Sequence, residues 1–377
     1  RATGLPNIDS TRFSIVANKL VTNPYDIAHT RIPPYAEENY VQLPAFMQKI
    51  TFCKYQGVVE GEWNNFSTQG TLLTNVGNVD VDATLKQGEI NNCYGTIGLD
   101  EVDISTFIED SPILGKASGT INVEGAFNAD SLIRADIDGQ IQSLECNKYA
   151  YSNITVEGEF TTRKFMGKIA VDDKNLRMQF EGGLDMSKPI PDFEFMASVE
   201  KAKLNEINLF NDSLSNLSFS TKVDFSGTHI DDMSGDVSLY DLQYTNANGS
   251  FSTKNITLRV SNEEEQRNMM LRSAFVDAKV SGTGKYKDLA NSVMTILSNH
   301  ISSLPKPTQT SVALSDFHVD VAVKNLNSVL EVLKPELKIA SGTHCEAVYT
   351  SSDTVCSLLA TSPQCSYNSI VLNDCRI

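Results

Sequence analysis

The stretch Leu176–Met186 reads LRMQFEGGLDM, with Leu176, Met178, Phe180, Gly182, Leu184 and Met186 on one parity and Arg177, Gln179, Glu181 and Asp185 on the other. Successive side chains of an extended strand point to opposite sides, so this segment has one greasy face and one wet face. The same alternation recurs on either side of it. Val79, Val81, Ala83 and Leu85 alternate with Asp80, Asp82, Thr84 and Lys86, and Ala117, Ile121, Val123 and Phe127 share a parity. After an expected turn at Asn128–Asp130 come Ile133, Ala135, Ile137 and Ile141, then Ile154, Val156 and Phe160, then Phe165, Ile169 and Val171. Downstream, Phe193, Phe195, Ala197 and Val199 follow the turn Lys188–Pro191. Leu217, Phe219, Val223 and Phe225 follow Asn211–Asp212, and Val237, Leu239, Ile256, Leu258 and Val260 extend the series. Asn, Asp, Gly or Ser fall between most of these runs, which predicts consecutive antiparallel strands, a meander.

Two places break the period. The first fifty residues carry a strand at Phe13, Ile15 and Ala17, after which Pro24, Pro33, Pro34 and Pro44 leave room only for short helical or irregular pieces. Further on, Leu289, Val293, Ile296, Leu297, Ile301 and Leu304 lie on one helix face, and Leu326, Val329, Leu330 and Leu333 mark a shorter helix ending at Pro335. Both helices are expected to pack as lids or end plugs on an apolar sheet face. Composition marks no sharp boundary, so one architecture is expected. It divides into a β segment over 1–285, helical insertions flanking one strand over 286–335, and a continuation of the sheet over 336–377.

The formal net charge of −16 disfavours nucleic acid and leaves no basic patch for anionic headgroups. Any relation to a membrane must therefore be apolar. No apolar run approaches the ~20 residues of a spanning helix, and the chain starts at Arg1 with no signal peptide, so it reads as an internal piece of something larger. The seven cysteines cannot all pair and show no C-x-x-C spacing. Cys345, Cys356, Cys365 and Cys375 recur about every ten residues, a spacing that in a meander can bring neighbours side by side; small buried hydrophobes are the plainer reading.

Catalytic signatures are missing: there is no G-x-S-x-G, H-E-x-x-H, Walker A or Rossmann fingerprint. Gly282–Lys285 misses the phosphate-loop spacing and puts Tyr286 where a hydroxyl ligand of magnesium belongs. Asp136 and Asp138 spell part of a calcium loop but occupy the polar parity of a strand. His344, Cys345 and Glu346 are adjacent, so a strand cannot converge all three. Neither an enzymatic activity nor a cofactor or metal is expected.

Residues 149–212, YAYSNITVEGEFTTRKFMGKIAVDDKNLRMQFEGGLDMSKPIPDFEFMASVEKAKLNEINLFND, resemble the Bacteroidetes-type TamB proteins of the AsmA-like superfamily. Residues 43–86, LPAFMQKITFCKYQGVVEGEWNNFSTQGTLLTNVGNVDVDATLK, and 323–349, VKNLNSVLEVLKPELKIASGTHCEAVY, resemble an earlier and a later block of that family. The specificity lies in block order and in phrases such as DDKNLRMQFEG. The resemblance implies an all-β fold: an elongated, curved antiparallel β-sheet trough with a few short amphipathic helices. It implies a periplasmic protein bridging inner and outer membranes of a Gram-negative bacterium. Such a bridge carries phospholipid along an apolar groove and supports outer-membrane assembly with a barrel partner of the TamA or BamA type. The inner-membrane helix and the region that meets the barrel would lie outside this chain.

About twenty strands at ~4.8 Å spacing would make a sheet near 100 Å wide if it never closed, which requires steady curvature and capping helices. A lipid with about thirty methylenes needs over ~20 kcal/mol of compensation to cross water, at ~0.8 kcal/mol each, and a uniform lining supplies that without a trap. One lining residue or more per strand is expected: Val81, Ile121, Val123, Phe127, Ile137, Val156, Phe160, Ile169, Met178, Phe180, Leu184, Phe195, Val199, Phe219, Val223 and Val237. The competing expectations are a closed β-sandwich or barrel, where this face is a hidden core, and a β-solenoid adhesin or carbohydrate-active protein.

Overall fold

A computed structural model describes residues 1–4, 11–31, 40, 43, 49–106, 113–128, 132–211, 214–263, 266–286, 316–352 and 355–377. The expected helix over 289–304 and the turn centre at 129–130 lie outside these residues. The protein is all-β, with 22 strands in open antiparallel sheet and two short α-helices among the described residues. The chain divides into two compact units, 1–181 with 206–209, and 182–205 with 210–377, the division falling inside one strand.

The first unit contains β1 (Ala2–Thr3), β2 (Arg12–Thr22), β3 (Cys53–Glu62), β4 (Asn65–Thr74), β5 (Gly77–Lys86), β6 (Asn91–Asp103), β7 (Leu114–Phe127), β8 (Leu132–Cys146), β9 (Tyr149–Thr161) and β10 (Lys164–Asp172). Each strand pairs antiparallel with the next, an uninterrupted meander from β1 to β10. Strand β11 (Leu176–Asp185) contains the division between the units.

In the second unit follow β12 (Asp192–Lys203), β13 (Asn216–Ser226), β14 (Ser234–Asn246), β15 (Gly249–Glu263), β16 (Gln266–Ser273), β17 (Val276–Thr283) and β18 (Phe317–Val323). The order continues through β19 (Leu337–Ile339), β20 (His344–Thr350), β21 (Val355–Tyr367) and β22 (Ile370–Arg376). From β12 to β18 neighbours in sequence are neighbours in the sheet. Strand β18 then pairs with β20, because the short β19 pairs instead with the second half of β21. Consecutive antiparallel pairing is the opposite of the parallel stacking a right-handed β-solenoid requires.

Local chemistry explains the turns. Asn147 (φ 51) and Lys148 (φ 62) form the two-residue link between β8 and β9, the doubly left-handed turn that matches strand twist and that Asn tolerates best. Helix α1 (Pro24–Ala28) starts with Asn23 accepting from the Asp26 N–H at 2.9 Å and with Pro24 in its first turn. Helix α2 (Asn327–Leu333) is the expected second helix. Its end is capped from the sheet: the side-chain amides of Asn246 and Asn248, at the β14–β15 turn, both donate to the Val332 carbonyl at 3.0 Å. Val332, which lies outside the expected stripe, is the buried residue of this helix against the β14–β15 hairpin, whereas Leu333 of the stripe is 55% exposed.

Bends are built from bulges and glycine. The ladder slips a register at Ala17/Leu20, Leu99/Val102, Val199/Ala202 and Ser218/Ser220, and each bulge adds local twist. Gly57 faces Gly70 across β3 and β4, and Gly158 faces Gly167 across β9 and β10. A Cβ on Gly70 would stand 2.4 Å from the Gln56 carbonyl oxygen, and one on Gly167 would stand 2.1 Å from that of Glu157. The backbones can approach this closely only because neither carries a side chain. An aromatic ring lies over each pair: Tyr55 against Gly57 and Gly70, Phe165 against Gly158. Such a ring supplies the apolar cover that glycine lacks.

One buried polar cluster ties the β10–β11 turn to β9. Asp173 accepts from the Tyr149 hydroxyl at 2.6 Å, the Ser152 hydroxyl at 2.7 Å and the Asn175 N–H at 2.8 Å. Burial works to raise this carboxyl, but these hydrogen bonds outweigh it and hold it below the usual carboxylate range. Burial first, then the bond to Asp173, pushes the Tyr149 phenol up to about 12.

Two outcomes follow. Gly70→Ala should cost about 1–3 kcal/mol in urea unfolding, whereas Gly125→Ala, whose added carbon would meet nothing nearer than 3.5 Å, should be neutral or slightly stabilising. Tyr149 favours its neutral form more strongly when folded, so its contribution is complete below pH ~10 and fades as pH rises toward about 12. The Asp173 contribution is present above pH ~4 and fades as pH falls through its lowered folded value. Unfolding midpoints of the parent should therefore fall more steeply than those of Tyr149→Phe between pH ~10 and ~12. Parallel profiles would rule out this role for the phenol.

Candidate apolar binding face

The antiparallel registers place the expected lining residues side by side. In the first unit, Ala17 faces Gly57, then Gly70, Val81, Ile97, Ile121, Gly139, Val156 and Ile169 follow, each opposite the next on its neighbouring strand. The adjacent row runs Ile15, Val59, Thr68, Ala83, Gly95, Val123, Ile137, Gly158 and Gly167. Eight interstrand steps from β2 to β10 make this face about 40 Å wide. Phe160 faces Phe165, with ring centroids 4.6 Å apart, and Phe180 stacks on Phe165 at 5.9 Å. Phe127, opposite Asn91 and Leu132, closes the parity of Gly125 and Val123 at the end of β7. Met178 shares the parity of Phe180 on β11, both half-buried between exposed Arg177, Gln179 and Glu181.

In the second unit, Phe195, Val223, Val237, Leu258, Leu271, Ala278, Val321, Cys345 and Ala360 form one cross-strand row. Val199 faces Phe219 beside it. Leu184 stands two positions from Gly182, where an added Cβ would lie 2.4 Å from the Phe195 Cα.

Every residue expected in the lining is half-buried, neither sealed nor fully in water. A closed sandwich would bury such a face almost completely against a second sheet. The apolar faces are covered by their own sheet on one side and by no second layer of described strands on the other.

Fully buried side chains concentrate at ends and edges. Ile207 is 1% exposed in a segment where Asn208 and Asn147 exchange side-chain-to-carbonyl hydrogen bonds at 2.6 and 3.1 Å. At one end of the second unit's face, Asn262, Arg267, Gly282, Phe317 and Tyr349 form a row that is partly polar. Arg267 donates through Nε to the Gly284 carbonyl at 2.9 Å, and the buried hydroxyls of Tyr286 and Tyr349 have no hydrogen-bond partner among the described residues. Phe13, Gly61 and Phe66 border a cavity of about 550 Å³ whose rim carries Arg1, Arg12 and Glu60.

The opposite face is polar and tied by cross-strand bonds. Thr71 donates to Asp80 at 2.6 Å and Asn78 to Asp100 at 3.0 Å, so neutral donors offset part of the acidity. Lys116 pairs with Glu101 at 2.9 Å and Lys168 with Glu181 at 3.1 Å, all well exposed and so worth little individually. Asp136 pairs with Arg134 on this face. His344 meets Asp320 at 2.8 Å and His318 meets Glu346 at 2.9 Å, while Cys345 lies in the apolar row, so the adjacent trio is indeed split between faces. Among the described residues no group of three or more His, Cys, Asp or Glu side chains has metal-site geometry.

Tyr55, Phe66, Leu72, Ile97 and Leu99 belong to the same face but were not anticipated from the sequence. On β3, β4 and β6 the inward parity interleaves Gly and Thr with apolar residues, which weakens the hydrophobic alternation. Glycine recurring on that parity, as at Gly57 and Gly61 on either side of Val59, is the signal that locates them.

No family model, curated protein or solved structure matches this chain.

Proposed function

We propose that the apolar faces bind acyl chains and that the protein carries phospholipid across the water between two membranes of a bacterial envelope, as a periplasmic bridge rather than as an enzyme. The observation that carries this reading is the half-burial of the expected lining residues: Val81, Ile121, Val156 and Ile169 in one unit, and Phe195, Val223 and Val237 in the other. An apolar surface of this extent on a soluble monomer marks an interaction site. A protein partner would be expected to need anchor pockets and a polar rim, whereas these rows are apolar or glycine at every strand except for Thr68. Uniformity suits a chain of methylenes, each contributing ~0.8 kcal/mol when it leaves water.

Supply of lipid in this way would support outer-membrane assembly. The resemblance to TamB-type proteins adds to this proposal an outer-membrane barrel partner and an association with the inner membrane. Among the described residues no helix is long and apolar enough to cross a membrane.

Two experiments test the reading. A photo-crosslinking amino acid at Phe180 or Phe219 should capture phospholipid in cells, and the same probe at Gln179 should not; equal capture at all three would refute a one-sided lining. Val223→Asp should abolish co-purifying phospholipid, measured by mass spectrometry, while shifting the unfolding midpoint by no more than about 1 kcal/mol, because the carboxylate keeps contact with water. Val260→Asp, at a side chain only 2% exposed, should cost about 3 kcal/mol or more. If Val223→Asp unfolds the protein as severely as Val260→Asp, the face is a closed core.

A further inference from the structure

Among the cysteines, Cys365 and Cys375 lie with their sulfurs 3.6 Å apart. They sit on β21 and β22, the last hairpin, but not directly opposite: Cys365 faces Leu372 and Cys375 faces Ser362. In a regular ladder those two positions have opposite parity and the thiols would be on different sides of the sheet. Asp374 has φ 48, a left-handed residue inside β22, and Pro363 interrupts the N–H donors of β21 beside it. The kink at Asp374 turns Cys375 onto the side of Cys365. The other cysteines are elsewhere: Cys345 faces Ala360, Cys356 faces Tyr349, Cys93 faces Leu85 and Gly125, Cys146 faces Leu114 and Tyr149, and Cys53 is buried opposite Thr74.

We propose that Cys365 and Cys375 form a reversible disulfide that staples β22 to β21. Reaching a bond of about 2.05 Å from 3.6 Å takes side-chain rotation together with backbone movement at the kinked hairpin, since the two residues stand three positions out of register. The oxidant is a small-molecule or dithiol-protein disulfide. One protein thiolate attacks it, forming a mixed disulfide and expelling one thiolate. The second protein thiolate then attacks the protein sulfur of that bond and expels the other. Two protein thiols lose two protons and two electrons, and the oxidant leaves as two thiols.

The staple acts on a terminal strand of the described sheet. Among the described strands, β22 pairs only with β21, and Ile370, Val371 and Leu372 are each more than half exposed. One ladder with little burial leaves a strand free to open locally. A covalent tie ten residues apart in sequence removes that opening while leaving the apolar rows untouched.

Peptide mapping after oxidation tests this on the full chain. The protein is equilibrated with oxidised glutathione, alkylated under denaturing conditions and cut with chymotrypsin. Cleavage after Leu359, Tyr367 and Leu372 places Cys365 and Cys375 on separate peptides that only a disulfide can join. The expected result is that joined pair, with Cys345 and Cys356 alkylated, and its loss in Cys365→Ser. Amides of Val371–Cys375 should exchange at least about tenfold more slowly in the oxidised parent than in the reduced one, with no such difference in Cys365→Ser. Full alkylation of both thiols after oxidation, or scrambled links to Cys345 and Cys356 in equal amount, would overturn the proposal.

Discussion

Antiparallel register is the constraint on which the rest of the structure depends. A slip of one residue in any ladder would carry that strand's apolar side chains to the wet face and its carboxylates to the dry one. Where Val81 faces Ile97 and Ile97 faces Ile121, apolar contact and hydrogen bonding select the same pairing. The two-residue turns hold it, as Asn147 and Lys148 do between β8 and β9. Where the ladder does slip, once in most strand pairs that have a bulge and three times between β7 and β8, it resumes and the rows continue beyond it.

Among the described strands no second layer buries the apolar face, and the stability they contribute comes from within the sheet. Paired backbone groups, cross-strand apolar contacts and end structures such as helix α2 under Asn246 and Asn248 supply it. The glycine pairs Gly57 with Gly70 and Gly158 with Gly167 let neighbouring backbones close up, and Tyr55 and Phe165 cover the gaps. The proposed acyl chains would act as the missing layer, one that moves.

Much of this was legible in the residues. Leu176–Asp185, Val79–Leu85 and Phe193–Val199 alternate so cleanly that strand, face and outward carboxylates follow from the period alone. The helix ending before Pro335 also followed from its spacing. Strands β3, β4 and β6 were harder, because glycine and threonine occupy the inward parity and the hydrophobic signal fades where the fold most needs small residues. The displacement of β19 onto β21 and the turn of Cys375 toward Cys365 left no mark in the period, since both arise from contacts between segments.

By itself the sequence determined that the chain makes antiparallel strands with one apolar face, because side-chain direction alternates with a period that no environment changes. It could not determine whether that face is sealed or open. Burial depends on what a second element does at a distance, and only the tertiary structure places Val223 or Ile121 in a row with no opposing sheet of described strands. Among the described strands these rows face no second sheet, and that arrangement is what supports the proposal that the alternation marks a surface for a ligand.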